Sequence, residues 1–246
     1  SVPALSRRLA DEDQNVAETA VLALGLIRTP EAVAALEMAL PKLPLRLQAT
    51  AVSALGSMGE TGVAALAAHL SGGGEVAAVA ARALGRVGTT QAVRALQREL
   101  PAADGDQRRL LQDSLLRALG RRNALVDPGV AAEVCRGLSA AQLGGPRGTA
   151  FLAVGIRFLP ASESQAILVR ALGSADPVVR QGALQLAAVA TDVELLQTVC
   201  AAFGALAEAE KVVLLQALAE RGDVAFAGVA RKALSPASPA VQAAAC

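Results

Sequence analysis

Arginine is the residue whose placement in this chain could do chemistry. Arg98, Arg136 and Arg170 each stand two positions before an apolar helix residue, Leu100, Leu138 and Leu172. At roughly 100° per residue, that offset aims the side chain about 160° away from the buried stripe, straight off the helix. A guanidinium is permanently charged and planar, and its fork matches a carboxylate with two parallel hydrogen bonds. The stretch from Arg82 to Arg122 strengthens the theme, with nine arginines against Glu99, Asp104, Asp106 and Asp113. Arg94, Arg108, Arg109 and Arg121 therefore join the candidate set for recognising an acidic partner. A purely structural reading competes, because a cation in the last turn of a helix is favoured by roughly 0.3–1 kcal/mol through the helix dipole.

Other chemistry is sparse. The one histidine, His69, lies between Ala68 and Leu70 and reads as a partly buried packing residue rather than a ligand or base. Cys135, Cys200 and Cys246 form no C-x-x-C. Cys135 and Cys200 hold equivalent places two repeats apart, about 20 Å at ~10 Å per helix layer, too far for a disulfide. Unpaired, half-buried thiols favour a cytoplasmic setting and leave localisation otherwise open. The glycine run Gly72–Gly74 is followed by Glu75, the wrong charge for a phosphate cradle. Nucleotide-loop, nucleophile-elbow and zinc-protease motifs are absent. The expectation is a non-enzyme, with no catalytic residue, cofactor or metal. A net charge of +1 and the lack of Trp and Tyr argue against nucleic acid, and no apolar run reaches membrane-span length.

The elements that must position the arginines are written in a repeat. V-x-x-L-x-x-x-L occurs at Val2/Leu5/Leu9, Val33/Leu36/Leu40, Val63/Leu66/Leu70 and Val93/Leu96/Leu100. Spacings of three and four place those side chains on one helical stripe. Taking its last residue as an anchor gives eight B helices, at Leu9, Leu40, Leu70, Leu100, Leu138, Leu172, Phe203 and Leu234. Two positions before the anchors stand Arg7, Met38, Ala68, Arg98, Arg136, Arg170, Ala201 and Lys232, with Ala35, Ala65 and Ala95 expected beside them as an open floor. Between B helices lie A helices marked by Leu24-Gly25, Leu55-Gly56, Leu84-Gly85 and Leu119-Gly120. An internal glycine costs a helix roughly 1 kcal/mol against alanine, so its recurrence predicts close approach by a neighbouring helix.

Punctuation fits this division. Gly59, Gly88, Asn123 and Gly222 stand where a left-handed helix end is wanted. Thr29-Pro30, Asp127-Pro128, Asp176-Pro177 and Ser238-Pro239 read as cap-plus-proline starts, and Ser162/Gln165 and Thr191/Glu194 have capping-box spacing. The period stretches to 38 residues before Leu138 and 34 before Leu172, placing irregular loops at 101–106, 121–128 and 139–146. The pattern is cut at both ends, which predicts a fragment of a longer chain and either a monomer or end-to-end packing of the terminal repeats.

These residues resemble the HEAT repeat superfamily in its short, roughly 30-residue, bilin-lyase-type form. The best single match is Asp176-Pro177-Val178-Val179-Arg180 followed by Ala183-Leu184, and Glu75-Val76 with Arg82-Ala83-Leu84-Gly85 is a looser copy. The resemblance implies an all-α α-solenoid: a right-handed superhelix of stacked antiparallel helix pairs, here about 16 helices in seven or eight repeats, one domain over 1–246. It also implies a concave face lined by the second helix of each pair. Catalytic relatives ask for more than this chain offers: deoxyhypusine hydroxylase uses several His-Glu pairs for iron, and HEAT-like DNA glycosylases use aromatic residues. The expected function is a non-catalytic protein–protein interaction scaffold that takes a protein or acidic peptide on the concave face. The alternative is nucleic-acid or anionic-ligand binding through the arginine-rich middle repeats. A bilin-lyase-like tetrapyrrole site is a third, less favoured reading that rests on repeat length alone, since such a pocket wants aromatics and Phe151, Phe158, Phe203 and Phe226 form no evident cluster in the sequence.

Overall fold

A helix with a single apolar stripe must bury it against neighbours, and repetition of one helix pair then builds layers. A computed structural model of the chain, which describes residues 1–121, 125–138, 144–189, 193–221 and 241, has this layered design. Fourteen α-helices occur among the described residues, fewer than the sixteen or so expected. The features expected at Arg122, Asn123, 139–143, Thr191, Gly222, Phe226, Lys232, Leu234, Ser238-Pro239 and Cys246 lie outside the described residues. The chain is all-α and of the α-solenoid class. Its residues fall into two compact units, Ser1–Val134 and Cys135–Cys246.

In the first unit B and A helices alternate: α1 (Val2–Arg8), α2 (Gln14–Ile27), α3 (Pro30–Ala39), α4 (Leu45–Ser57), α5 (Val63–Ala68), α6 (Gly74–Val87), α7 (Thr90–Glu99) and α8 (Gly105–Gly120). The A helices stack in the order α2, α4, α6, α8, while α1 meets α3 and α5 meets α7 in the B layer. The unit boundary falls inside α9 (Pro128–Gly137). The second unit contains α10 (Gly145–Phe158), α11 (Ala161–Leu172), α12 (Pro177–Val189), α13 (Val193–Ala201) and α14 (Glu208–Arg221). There α10, α12 and α14 stack, and α11 meets α13. The anchors Leu9, Leu40, Leu70, Leu138, Leu172 and Phe203 are buried, and Leu100 is half-buried.

The glycines in the A helices do what their recurrence implies. A Cβ on Gly25 would stand 2.9 Å from the Cβ of Ala54, and one on Gly56 would stand 2.7 Å from that of Ala83. On Gly85 it would meet the carbonyl oxygen of Ser114 at 2.8 Å and its Cα at 3.0 Å, backbone atoms with no rotamer to give. Helices α2, α4 and α6 run on past their glycines, so these are contact points and not helix ends. Gly120 departs from the expectation. It is the last residue of α8, and a Cβ there would meet nothing within 4 Å.

Caps follow the sequence in most places. The Thr29 hydroxyl accepts from Ala32 N at 3.4 Å, Asp127 Oδ1 from Val130 N at 3.0 Å, and Asp176 Oδ1 from Val178 N at 2.9 Å. Gly88 closes α6 at φ +63°, and Arg28 takes the same left-handed place after α2 at φ +57°. The Ser162 capping box does not form, because α11 already starts at Ala161 behind Pro160 and Ser162 lies inside its first turn. The buried Ser164 hydroxyl instead donates to Leu159 O at 3.2 Å.

The matched Asp-Pro-Val-Val-Arg segment ties its repeat together. Asp176 Oδ2 accepts from Gly145 N at 2.6 Å, and the backbone N–H groups of Gly145 and Val178 hold its carboxyl below the usual range. Arg180 donates from Nε to Glu210 Oε1 at 2.6 Å and from Nη1 to Ser174 O at 2.7 Å. The stretched segments are also tied down. Leu125 N reaches Gly88 O at 3.2 Å, Thr90 N reaches Leu125 O at 3.2 Å, and Arg108 Nε reaches Ala103 O at 2.8 Å.

Replacing Gly85 by Ala gains roughly 1 kcal/mol of helix propensity but overpacks a rigid contact costing about 1–3 kcal/mol. Gly85→Ala is therefore expected to lower stability in urea melts. Gly120→Ala, in open space, should raise it by about 0.4–1 kcal/mol. The Arg180 guanidinium holds the Glu210 carboxyl below its usual value, so the pair stabilises the fold fully above roughly pH 4.3 and loses that contribution as acid titrates Glu210. Glu210→Gln should cost about 1.5–3 kcal/mol near neutral pH, and the gap to the parent chain should close in melts taken at progressively lower pH.

Candidate partner-binding surface

The outward position of the B helices is set by the anchors. Because these are buried, the residues two places earlier stand in solvent: Arg7, Met38, Ala68, Arg98, Arg136, Arg170 and Ala201 are all exposed. On α7, Arg94 and Arg98 are separated by one helical turn and share a face. Among the described residues neither has a hydrogen-bond or ion-pair partner, and the same holds for Arg170 on α11. Arg94 and Arg98 belong to the first unit, whereas Arg136 and Arg170 belong to the second.

The remaining candidates are engaged. Arg136, in the last turn of α9, clasps Glu163 of α11 with Nε to Oε2 at 3.0 Å and Nη2 to Oε1 at 3.0 Å. That guanidinium holds the Glu163 carboxyl below the usual carboxylate range. The fork that suits an acidic partner is thus filled by the chain's own glutamate. Arg109 pairs with Asp106 at 3.4 Å, Arg108 binds the Ala103 carbonyl, and Arg121 donates to the Arg86 carbonyl. These three serve the local fold of α8 and its flanks.

The expected floor also differs. Ala65 and Ala95 are buried and Ala35 is half-buried, so these alanines belong to the packed layer. They sit one place before Leu36, Leu66 and Leu96, only about 100° from the core stripe. The exposed small residues are Ala34, Ala64 and Ala68, one position earlier or three later.

Sequence reasoning overlooked an apolar groove between α1 and α3. It has a volume of about 550 Å³ and is lined by residues that include Pro3, Ala34, Met38 and Leu43, with Glu31 and Lys42 also on its wall. Met38 is 77% exposed, an unusual state for a large apolar side chain. Its signal in the sequence is Met38 itself, an apolar residue at the outward position two before the anchor Leu40.

Burial accounts for the other polar and aromatic candidates. His69 is half-buried at the end of α5. Burial raises the Cys135 thiol to about 11 and pushes that of Cys200 up as well. Phe151 and Phe203 are core residues, and the Arg157 guanidinium covers the Phe158 ring at 4.8 Å. No described helix is long and apolar enough to cross a membrane.

No family model matches the chain, and no curated protein matches it. Solved structures similar to the chain include the following two. Human deoxyhypusine hydroxylase in complex with glycerol is 15% identical over 99% of this chain and 93% of its own, with a TM-score of 0.45. The complex of CpcE and CpcF of phycocyanin lyase from Nostoc sp. PCC7120 is 19% identical over 99% of this chain and 92% of its own, with a TM-score of 0.46. One expectation is corrected by them. The expectation of a non-enzyme does not stand, because these two similar structures are catalytic by name, a hydroxylase and a lyase. At these identities the likeness reaches only the helical fold and transfers no reaction or residue role.

With its thiol raised to about 11, Cys135 has on the order of one thiolate per thousand molecules at pH 8. Iodoacetamide at pH 8 should leave Cys135 unmodified in the folded chain and alkylate it after denaturation, as read by peptide mass spectrometry. Half-buried Cys200 should react ahead of it.

Proposed function

We propose that this chain is a HEAT-like protein-interaction scaffold whose partner lies across the outward face of the B helices in the first unit. The observation that carries the reading is the Arg94–Arg98 pair, two exposed guanidinium groups one turn apart with no internal partner among the described residues. Across the same layer, Ala64 and Ala68 of α5 and Ala34 of α3 are exposed and small, and the α1–α3 groove with Met38 is apolar. Such a surface suits a segment with an apolar stripe and an acidic edge, because arginine forks select carboxylates and an apolar floor rewards aliphatic contact. Nucleic acid is served less well, since the chain has no Trp or Tyr to stack on bases and a net charge of +1.

A fluorescein-labelled helical peptide with leucines on one face and glutamates beside them provides the test, read by anisotropy. Arg94→Glu together with Arg98→Glu should weaken binding by about tenfold or more at unchanged helicity. Arg109→Glu, whose parent residue already faces Asp106, should change it little. Equal binding by the doubly reversed chain would overturn the reading. So would tighter capture of a single-stranded oligonucleotide with a steep loss on adding salt.

A further inference from the structure

Helices α4, α6 and α8 share one position that governs how the turn before each helix is closed. Ala54, Ala83 and Ser114 are the residues that meet Gly25, Gly56 and Gly85 of the preceding A helix. Six places before them stand Gln48, Ala77 and Arg108. Gln48 Nε2 donates back to Leu43 O at 2.9 Å, and Arg108 Nε donates back to Ala103 O at 2.8 Å. In both turns the accepting residue is itself buried, Leu43 and Ala103 alike. In α6 both devices are missing. Ala77 has no side-chain donor, and the residue five places before it is Gly72, exposed and without a side chain to plug the turn.

A cavity of about 220 Å³ between α6 and α8 stands at this point. Ala77 lines it, Leu70, Ala81 and Leu111 form a buried apolar floor, and Gly73 and Gly74 form part of the rim. Both rim glycines have φ +67°, and a Cβ on either would meet nothing within 4 Å, so the rim is low and open. The polar groups are few. Gln107 Nε2 is bound to Leu70 O at 3.2 Å, and among the described residues its Oε1 accepts no hydrogen bond. Asp106 stands at the mouth with its side chain 98% exposed, touched by Arg109 at 3.4 Å. The volume lies below the roughly 300–1,000 Å³ of sites that enclose a whole small ligand. One long side chain fills it.

We infer that this cavity receives an arginine side chain from a partner protein, which supplies from outside what Gln48 and Arg108 supply from within. An arginine stem lies along apolar surface while its head stays among polar groups, which matches a floor of Leu70, Ala81 and Leu111 below an amide oxygen and a carboxylate. The guanidinium would donate to Gln107 Oε1 and to the Asp106 carboxylate, with exposed Glu75 adding to the negative potential at the start of α6. An aliphatic side chain would leave Gln107 Oε1 covered and unpaired. A glutamate would meet Asp106 and Glu75 as like charges. The site uses none of the B-helix residues, and its test does not depend on the partner proposed for them.

The test is an amide-resolved NMR titration of the 246-residue chain with the capped peptide acetyl-Ala-Arg-Ala-amide. Saturable shifts are expected at Gly73, Gly74 and Ala77. Peptides with norleucine or glutamate in place of the arginine should bind about tenfold or more weakly. Ala77→Gln installs the side chain that α4 carries at this position, so it should raise the melting temperature and abolish the shifts. Asp106→Asn changes only an exposed side chain and should weaken binding about fivefold at unchanged helicity. The inference is overturned if the arginine peptide produces no saturable shifts at these amides, or if the norleucine or glutamate peptide binds equally well. Undiminished binding by Asp106→Asn, or by Ala77→Gln with its helicity intact, would overturn it too.

Discussion

Backbone-close packing of consecutive A helices is the constraint on which the rest of this structure depends. Gly25, Gly56 and Gly85 admit Ala54, Ala83 and Ser114 so closely that a single methyl group would not fit. Helices at that separation leave room only for small and aliphatic side chains between them. A chain with 53% apolar residues and 2% aromatic ones follows directly from such spacing. Buried volume then comes from Leu and Val on the side facing the B layer, where Leu24, Leu55, Leu84 and Leu119 are fully buried. The glycine is unfavourable for each helix taken alone and favourable for the layer, so its presence marks tertiary packing winning over intrinsic propensity.

The same constraint determines which residues are released for recognition. With the A layer committed to close packing and the B anchors committed to the core, only the outward turn of each B helix is free to vary. It has varied, from Arg7 through Met38 and Ala68 to Arg98, Arg136 and Arg170. Whether an arginine there stays available depends on what the next helix offers. Arg136 finds Glu163 on α11 and is consumed by it. Near α7, Glu133 of α9 accepts from Gln97 at 3.0 Å. Arg98 stands in solvent together with Arg94. Availability is a property of pairs of helices, and a single helix does not determine it.

That dependence explains what could be read from the residues alone. Helix positions, anchors, the close-packing role of three glycines and the caps at Thr29, Asp127 and Asp176 follow from spacings within one element, where geometry is fixed by 3.6 residues per turn. The Arg136–Glu163 pair joins residues 27 positions apart, across a loop whose path no periodicity specifies. The alanine floor failed for a subtler reason. Ala65 and Ala95 sit about 100° from the stripe, an angle at which burial depends on how near the neighbouring helix comes. Gly120 failed likewise, because the signal shared with Gly25 and Gly56 names a contact but does not supply the opposing helix. Arg28 was invisible to a search for glycine, since it holds the left-handed position at the end of α2 without being one.

Stacking makes a demand of its own on each helical stripe. Stacking is directional: the glycine side of one A helix receives the alanine side of the next, and the two surfaces are unlike. Packing under a preceding helix favours small residues at mid-helix and larger ones toward the ends, as in Leu47, Ala51 and Ala54 of α4 and Met58 just after it. Val16 and Ile27 of α2 retain the apolar character of their buried counterparts Leu47 and Met58 although water reaches them, where an exposed helix face unrelated to packing would favour polar residues. Apolar composition along this stripe is thus a property of the repeat and not of the exposure that any one copy has.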